Sequence, residues 1–247
     1  MPSRRIKAVF FDAAGTLFTV NGSVGEIYAR LARAHGKEVA VADLEAGFRR
    51  CFAATPPMAF PGASPAQIPA LEKQWWRDLV QNVFAPQGPF PRFDEYFTAL
   101  FAYFARADTW RLYAETVTTL EALTAYGLLL GVISNFDSRL FGLLDGLGIA
   151  RFFDPVVIST QAGAAKPDTA IFTQALAHYD LRPDQALHVG DSFAADIVGA
   201  QAASLTPILV DRRGADQETD SYLRVRSLAE LPAIVTGMAL WTLDPRL

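Results

Sequence analysis

The sequence predicts an α/β protein in which a doubly wound, Rossmann-like parallel sheet carries an inserted all-α helical bundle. Two observations support this fold class. Strand-like apolar runs open the chain and return in its second half, where they alternate with helical segments. The stretch between them shows only helical periodicity. With 247 residues, of which 51% are hydrophobic, the chain has ample material for a packed core and an additional unit.

The composition of the chain limits which binding partners and which cellular compartment are expected. The net charge is −4 and no basic block is present, which argues against a nucleic-acid partner. The single cysteine, Cys51, rules out an internal disulfide and fits a reducing compartment. No apolar run approaches the roughly 18 residues of a membrane span, and Asp12 interrupts the first run, which argues against a signal peptide. We expect a cytoplasmic monomer or homodimer that binds neither nucleic acid nor a membrane.

The first element is the run over residues 6–17, which reads IKAVFFDAAGTL. Its β-branched and aromatic residues predict a strand that is buried on both faces. The strand ends at Asp12, and a glycine turn at Gly15 follows. Open α/β sheets place their chemistry at the carboxyl ends of such strands. Asp12 is therefore the first candidate catalytic residue.

Residues 19–110 predict an all-α unit. Apolar side chains recur at helical spacing in groups that begin at Val24, Leu44, Ile68 and Phe93. A loop rich in proline and glycine, TPPMAFPGASP, separates the second group from the third. The many aromatic residues have the spacing of a helical core, so we interpret them as packing residues rather than as a cofactor site.

In the second half of the chain, helices and strands alternate. Four further strands are predicted, with the sequences LLLGVISN, PVVIST, ALHVGD and TPILVD. Ser227 and Glu230 have the spacing of a capping box and predict the start of the last helix. Strands separated by helices of this length imply a parallel sheet, which the first strand must join. The chain therefore divides into a core (residues 1–18 and 111–247) and an inserted helical cap (residues 19–110).

Polar side chains follow three of these strands. They are Ser134 and Asn135 after the second strand of the chain, Lys166 after the third, and Asp191 and Asp196 after the fourth. Because parallel strands bring their carboxyl ends to one edge of a sheet, we expect these side chains to converge with Asp12 on one crevice. Two carboxylates, a hydroxyl, a lysine and the backbone N–H groups of helix starts suit a Mg²⁺ ion and a phosphoryl group.

These residues resemble, in order, the four motifs of the haloacid dehalogenase-like (HAD) hydrolases. FDAAGT is similar to motif I, VISN to motif II, Lys166 to motif III and GDSFAAD to motif IV. The helical segment is similar to the C1 cap of that family. The stretches FDAAGTLF, SNFDSRL and LEKQWW resemble its HDHD3-like (REG-2-like) group. Four motifs in the correct order, each at a predicted strand end, make the resemblance specific, and it covers the whole chain.

The resemblance implies a role for each matching residue. Asp12 would attack phosphorus, form an aspartyl-phosphate and bind Mg²⁺. The backbone carbonyl of Ala14 and the carboxylate of Asp191 would complete the protein ligands, and Asp196 would bind metal waters or lie behind the ligands without contact to the metal. Gly15 would give the motif I turn its backbone freedom.

The same resemblance implies a phosphate site. Ser134, the backbone N–H of Asn135 and Lys166 would hold the phosphoryl oxygens, and Lys166 would also take part in catalysis. Thr16 would steady the motif I turn and belong to the phosphate site. The implied activity is Mg²⁺-dependent hydrolysis of a small phosphorylated metabolite, with the cap closing on a hinge near residues 19–24.

The chain departs from the family pattern at Ala14, where the phosphatases carry a second aspartate. That aspartate protonates the leaving oxygen and then activates water, and losing such a group typically costs about 10²–10⁴-fold in rate. Three hypotheses follow. The chain is a slow or specialised phosphatase, a phosphonatase-like C–P hydrolase, or a ligand-binding or interaction protein without turnover.

Two of the family's other activities are disfavoured. Phosphonatases, which also carry alanine at this position, need a cap lysine that forms a Schiff base. The cap lysines here are Lys37 and Lys73, and both are expected to be solvated. The 2-haloacid dehalogenases work without a metal, so we would not expect Asp191 or Ala14 in one of them.

The remaining polar residues are expected to be structural. Asp137 is predicted to cap the helix that follows motif II. His35, His178 and His188 lack the spacing of metal ligands.

Overall fold

The protein is described here from a computed structural model, which covers residues 6–212, 214 and 222–241. Its strands, in chain order, are Ala8–Phe11 (β1), Phe18–Val20 (β2), Trp110–Leu112 (β3), Leu129–Ser134 (β4), Val156–Ile158 (β5), Ala186–Gly190 (β6), Thr206–Val210 (β7) and Leu223–Val225 (β8). Six of them form one parallel sheet in the order β5-β4-β1-β6-β7-β8. Strand β1 lies inside this sheet and the chain winds outward on both sides of it, which confirms the doubly wound fold class.

Helices cover both faces of the sheet and form the insertion. The helices are Val24–Ala34 (α1), Val41–Ala54 (α2), Ile68–Phe84 (α3), Phe93–Phe104 (α4), Thr116–Ala125 (α5), Arg139–Gly146 (α6), Ser159–Ala162 (α7), Thr169–His178 (α8), Val198–Ala202 (α9) and Leu231–Trp241 (α10). A π-helical turn, Phe193–Ile197, leads into α9. As predicted, Ser227 and Glu230 form a capping box, which opens a short 3₁₀ turn directly before α10.

The position of β1 follows from its sequence. All residues of this strand are buried, and it is hydrogen-bonded to β4 on one side and β6 on the other. Val9 and Phe11 contribute to the hydrophobic cluster on one face of the sheet, and Ala8 and Phe10 to the cluster on the other. A side chain on Gly131 would lie 2.7 Å from the Phe10 ring, so glycine lets the neighbouring strand pack over that ring. This double burial fixes the carboxyl end of β1 in the middle of the sheet edge.

The insertion has a hydrophobic core of its own. The buried residues of this cluster come from helices α1 to α4, and the largest of them are Tyr28 and Tyr96. Most of its aromatic pairs are edge-to-face or tilted, for example Phe84 on Tyr96 with 5.1 Å between the ring centroids, and two pairs are stacked. This arrangement agrees with the helical spacing of the sequence. The boundaries of the core and the cap, however, stay a prediction.

A two-stranded ribbon joins the insertion to the sheet. Strands β2 and β3 pair antiparallel, and Thr19 lies opposite Arg111. Each of these strands crosses one of the predicted boundaries of the cap. The sequence did not indicate the ribbon, because strands of three residues are too short to show a period. Part of the proposed hinge, residues 19–24, therefore lies within a paired strand.

Buried polar contacts also attach the cap to the core. Glu72 on α3 is 4% exposed, and its Oε1 accepts hydrogen bonds from Ser138 N (2.9 Å), Ser138 Oγ (2.8 Å) and Thr160 Oγ1 (2.6 Å). The Ser159 hydroxyl donates to Met58 O at 2.6 Å. Each bond joins the helical insertion to the start of a helix that follows a strand of the sheet, so the cap sits directly over the carboxyl ends of the strands.

A second attachment centres on Asp137. Its carboxylate accepts hydrogen bonds from the Trp76 indole N–H (2.6 Å) and from the Arg139 side chain, and the Arg139 guanidinium lies 4.1 Å from the Phe101 ring centroid. Asp137 was predicted to be the N-cap residue of α6. Ser138 occupies that position instead, although Asp137 Oδ1 does accept from the N–H of Arg139, the first residue of the helix.

Two further features bear on the sequence predictions. Within the described part of the chain, every helix is too short or too polar to span a bilayer.

Strand β8 was not predicted, since its three residues include Arg224 and give no apolar run. It adds one parallel strand at the edge of the sheet, away from the strand ends considered below.

Candidate active site

The side chain of Asp12 lies at the carboxyl end of β1, in the middle of the sheet edge. Its backbone N–H donates to Val189 O at 2.8 Å, which fixes the residue to β6. Its Oδ1 accepts hydrogen bonds from Ser134 Oγ (3.0 Å) and Lys166 Nζ (2.7 Å). Both of these bonds fall on Oδ1, so Oδ2 has no protein donor within the described residues. Asp12 is 8% exposed and opens onto a cavity between the sheet and the helical cap.

Lys166 connects the acidic residues of the site. Its ammonium is buried and donates to Asp12 Oδ1 (2.7 Å), Asp196 Oδ1 (2.6 Å) and the Ile133 carbonyl (2.8 Å). An ammonium has three donors, and all of them are used here. Burial alone would lower the pKa of Lys166, but the Asp12 and Asp196 carboxylates outweigh it and raise that pKa. Lys166 therefore stays charged.

Asn135 positions Lys166 through the backbone. The Asn135 side-chain oxygen accepts from Lys166 N at 2.8 Å, and its Nδ2 donates to Lys166 O at 2.9 Å. The side-chain amide thus binds both polar groups of one residue on the next loop. The sequence suggested a role only for the backbone N–H of Asn135, so this contact adds to the prediction.

The motif after β6 brings two carboxylates to the same place. Asp191 faces the cavity, whereas Asp196 is buried and accepts from Ser192 N at 2.9 Å and from His188 Nε2 at 2.9 Å. The π-helical turn Phe193–Ile197 turns Asp196 back under the strand end. One carboxylate oxygen from each of Asp12, Asp191 and Asp196 lies within 4.8 Å of the others.

Two glycines make room for these carboxylates. Gly15 has a φ of +97°, and a side chain there would come within 2.3 Å of Asp191 Oδ2. A side chain on Gly190 would come within 2.1 Å of Asp196 Cγ. The glycines of motifs I and IV are therefore required by close packing of carboxylates against the backbone, and at Gly15 also by the backbone conformation.

The electrostatics of the cluster reflect three acids around one lysine. Burial raises the pKa of Asp12, and the Asp196 carboxylate adds to the rise while Lys166 opposes it. Burial would also raise the pKa of Asp196, but Lys166 and the His188 hydrogen bond outweigh it and hold that pKa well below its usual range. The Asp191 side chain reaches the cavity, yet the surrounding protein withdraws it from bulk water and, together with Asp12 and Asp196, raises its pKa to about 7.

This donor set fits a divalent cation. Three carboxylates and one ammonium leave a net charge of −2 when all are ionised, and a doubly charged ion at their centre would neutralise it. Carboxylate oxygens are the ligands that Mg²⁺ and other hard cations prefer, and Ala14 borders the same cavity, where its carbonyl is available as a further oxygen. Asp12 and Asp191 are the residues placed to hold such an ion, with Asp196 behind them.

Above the carboxylates is a cavity of about 520 Å³ whose walls differ sharply. The core side contains the residues described above. The cap side is lined by Phe48, Phe52, Thr55, Pro56, Pro57, Met58, Trp75 and Trp76. Within the described residues, the cap contributes no acid, histidine or lysine to this lining. No cap side chain therefore replaces the carboxyl group that is absent at Ala14.

The cap lysines lie away from the cavity. Lys37 donates to the backbone carbonyls of Gln87 and Pro89 (3.0 Å to the latter), and Lys73 is exposed. Neither lines the space above Asp12. The Schiff-base chemistry of a phosphonatase has no lysine to use among the described cap residues.

Thr16 is the one predicted site residue that the structure does not bring to the cavity. Its side chain is fully buried, and its hydroxyl has no hydrogen-bond partner among the described residues. The motif I turn is instead held by Arg212, which donates to the Thr16 carbonyl (2.9 Å) and to Glu115 Oε1 (2.6 Å). Sequence reasoning missed Arg212, although its position just after the buried strand β7 carries the same signal as the other site residues.

The histidines behave as structural residues. His188 is buried beneath the site, and burial lowers its pKa, so the neutral ring donates from Nε2 to Asp196. His35 Nδ1 lies 2.8 Å from the Leu31 carbonyl, and His178 pairs with Asp154 near the surface.

Comparison with known proteins agrees with this geometry. Residues 6–204 match the family model described as haloacid dehalogenase-like hydrolase. The chain belongs to the haloacid dehalogenase-like hydrolases. This HAD hydrolase is 36% identical over 212 residues to the human haloacid dehalogenase-like hydrolase domain-containing protein 3, an alignment that spans 83% of the chain and 82% of the human protein. The resemblance to the HDHD3-like group is thereby confirmed.

One more sequence relative and one solved structure match most of this chain. A glyceraldehyde 3-phosphate phosphatase from Methanothermobacter thermautotrophicus is 31% identical, over 87% of this chain and 90% of its own length. The crystal structure of the HAD-hydrolase YfnB from Bacillus subtilis superposes with a TM-score of 0.73 at 18% identity, and the match covers 94% of this chain and 99% of the other. The latter shows the fold alone.

Proposed function

We propose that this HAD hydrolase is a Mg²⁺-dependent phosphatase that hydrolyses a small phosphorylated metabolite through an aspartyl-phosphate on Asp12. The observation that carries the proposal is the environment of the Asp12 carboxylate. Oδ1 is held by Ser134 and Lys166, Oδ2 has no protein donor among the described residues, and Asp191 lies close enough to share a cation. The archaeal phosphatase among the relatives supports a phosphoric monoester as the substrate class.

The reaction follows from these contacts. Asp12 Oδ2 attacks phosphorus, the bond between phosphorus and the ester oxygen breaks, and the leaving group departs with the electron pair. The positive charge of Lys166, which lies beside the nucleophile, stabilises the charge on the phosphoryl oxygens, and the Ser134 hydroxyl donates to them once its bond to Asp12 is exchanged. Water then attacks the aspartyl-phosphate, releases inorganic phosphate and restores the carboxylate.

A bound Mg²⁺ would supply positive charge to both the carboxylates and the phosphoryl group. Asp12, Asp191 and the Ala14 carbonyl would hold it, and Asp196 would orient its waters. Because position 14 has no carboxyl group, the chain itself offers no general acid for the leaving oxygen, which makes turnover slow for esters with basic leaving groups.

A phosphate-release assay tests the proposal. Wild type and Asp12→Asn are incubated with a panel of phosphate monoesters, with Mg²⁺ or with a chelator. We expect release that requires Mg²⁺ and that falls at least about 10⁴-fold in Asp12→Asn, because the nucleophile is lost. If the two proteins release equally little phosphate from every ester, the enzyme assignment is wrong and a ligand-binding role on this fold replaces it.

A further inference from the structure

The cavity wall that the cap provides is apolar and contains four aromatic rings. The remaining residues of this wall are Thr55, Pro56, Pro57 and Met58, and the Thr55 hydroxyl donates to Cys51 O at 2.8 Å. Phe52 and Trp75 contact each other with 6.1 Å between ring centroids, and Phe48 and Trp76 continue the surface. The indole N–H groups do not point a free donor into the cavity, because Trp75 donates to Pro56 O and Trp76 donates to the Asp137 carboxylate. This aromatic wall therefore presents carbon atoms to whatever sits above the nucleophile.

The apolar surface continues deeper into the cap. A second, smaller cavity of about 80 Å³ lies against the first. The residues that border both cavities are Val20, Phe48, Trp76, Trp110 and Phe136. The other residues that line it are apolar or aromatic apart from Arg139, whose charge is paired with Asp137. A part of the substrate that enters this smaller cavity from the side of Asp12 therefore meets no unpaired charge.

The apolar lining of the two cavities favours an aromatic substrate over a sugar or polyol phosphate. The hydroxyl groups of a sugar or polyol phosphate would lose water at the aromatic wall and gain few hydrogen bonds, which is unfavourable. A planar aromatic group would stack on the rings and bury apolar area. The charge needed to bind the phosphate is concentrated on the opposite side, at Lys166 and the carboxylate cluster. The cavity is therefore divided between one charged end and one aromatic end.

The missing acid points to the same class of substrate. The cap side of the lining has no acid, histidine or lysine within the described residues, and position 14 carries a methyl group. A leaving group that departs unprotonated must be a weak base. Phenolate-type oxygens meet this condition, whereas the alkoxide of a sugar does not.

We propose that the substrate is an aryl phosphate, whose aromatic group binds against Phe48, Phe52, Trp75 and Trp76. The proposal rests on the phosphatase function proposed above and names its substrate class. It makes two separate statements. The aromatic wall favours binding of aromatic esters, and the absent acid favours leaving oxygens of low basicity.

Four esters separate the two statements. Phenyl phosphate and benzyl phosphate are both aromatic but differ in the basicity of the leaving oxygen. Acetyl phosphate and glycerol 3-phosphate form the corresponding pair without an aromatic group. Dissociation constants are measured by calorimetry on Asp12→Asn in the presence of Mg²⁺, where no turnover interferes, and kcat/KM is measured on wild type.

The expected result has two parts. Both aromatic esters bind Asp12→Asn at least about tenfold more tightly than glycerol 3-phosphate does. Phenyl phosphate has a kcat/KM about 10²-fold or more above that of benzyl phosphate, because kcat/KM reports the steps up to departure of the leaving group, whereas kcat also contains hydrolysis of the common aspartyl-phosphate. Equal or tighter binding of glycerol 3-phosphate overturns the aromatic site. Equal kcat/KM values for phenyl and benzyl phosphate overturn the statement about the leaving group.

These outcomes also separate the proposal from the function on which it rests. If Asp12→Asn prefers aromatic esters but wild type hydrolyses none of the four, the phosphatase function fails and the aromatic binding site stands. If wild type hydrolyses esters without preference for aromatic ones in binding or turnover, the phosphatase function stands and the aryl phosphate proposal fails.

A substitution on the wall tests the site directly. Phe52 is 47% exposed, so Phe52→Ala leaves the cap core largely intact. We expect the Kd of phenyl phosphate to rise about 3- to 10-fold, with the Kd of glycerol 3-phosphate unchanged, and Phe52→Leu to lie between. Phe141→Ala is the matched control, since Phe141 is 40% exposed on α6 and does not line the cavity. An unchanged Kd for phenyl phosphate in Phe52→Ala contradicts the placement of the aromatic group.

Discussion

The two sides of the active-site cavity are built by different physical rules. On the core side, each charged group is fixed by several partners, as Lys166 is by Asp12, Asp196 and the Ile133 carbonyl. On the cap side, the rings of Phe52 and Trp75 contact each other and no charged group of the described cap residues lines the cavity. A cluster of buried charges tolerates little change, because every member compensates another. An aromatic surface tolerates substitution more readily.

This difference teaches where chemistry and selectivity reside in the molecule. The strand ends of the core supply the nucleophile and the phosphate site in one rigid sheet edge. The helices of the cap supply the surface that meets the rest of the substrate. The absent carboxyl group at Ala14 lies at the border between the two sides. Substitutions at this border and within the charged cluster measure how far the two sides differ in their effect on activity.

The largest effect is expected from Ala14→Asp, which adds the missing acid to the core side. Poor leaving groups need a proton most, so kcat/KM for an alkyl phosphate should rise about 10²–10⁴-fold, and kcat/KM for an aryl phosphate much less. The measurement is kcat/KM on benzyl and phenyl phosphate. Ala14→Asn, which has the same shape without the carboxyl group, is the control and should give no gain. Equal gains on both esters would show that position 14 does not address the leaving oxygen.

The second effect concerns the buried lysine. Lys166→Met leaves Asp12 and Asp196 buried without their cation, so we expect the free energy of unfolding in Mg²⁺-free buffer to fall by about 3–5 kcal/mol. Activity should fall about 10²–10³-fold, because the positive charge beside the nucleophile and the phosphoryl group is lost. Urea unfolding and kcat report the two changes. Lys73→Met, at an exposed cap lysine, should change neither, and a similarly small effect at Lys166 would mean that the core side is not a coupled cluster.

The third effect is a pH dependence of metal binding. In the metal-free protein the pKa of Asp191 is raised to about 7, above its ordinary value of 3.8. A raised pKa means that protonation stabilises the fold below pH 4 and that this contribution is lost as the pH rises through 7. A cation must displace that proton, so the apparent affinity for Mg²⁺ should fall up to about tenfold per pH unit below pH 7 and level off above it.

Mg²⁺ titrations by calorimetry between pH 5.5 and 8.5 measure this dependence. As the pH rises from 5.5 to about 7, the affinity for Mg²⁺ should increase, whereas the thermal midpoint of unfolding of the metal-free protein should decrease. Asp191→Asn, which cannot titrate, should lack the step in the midpoint. A Mg²⁺ affinity that is flat from pH 5.5 to 8.5 would remove Asp191 from the ligands.

Much of the core side could be predicted from the sequence. Asp12, Ser134, Lys166, Asp191 and Asp196 each follow a strongly apolar run, and a parallel sheet brings such strand ends together. Thr16 shows the limit of that reasoning. It lies in the same motif, but the turn at Gly15 directs its side chain into the interior, where the carbonyl rather than the hydroxyl makes the contact.

The contacts between cap and core could not be predicted in the same way. Glu72 looks like a surface residue of an amphipathic helix, yet it is buried by loops that are distant in sequence. Strands β2 and β3 become strands only because they meet each other. Three residues carry no periodicity of their own, so their structure depends on the closure of the whole insertion.

By itself the sequence determined the parallel sheet, the helical insertion and the acidic sheet edge, because apolar periodicity and strand topology are properties of the local chain. Only the tertiary structure decided what the aromatic residues of the cap face. Helical spacing identifies the apolar side of α2 and α3, and most of that side packs in the cap core, while Phe52 lines the cavity and Trp75 does both. The sequence pattern is the same in both cases, since periodicity records that a side chain avoids water and not whether protein or a ligand covers it.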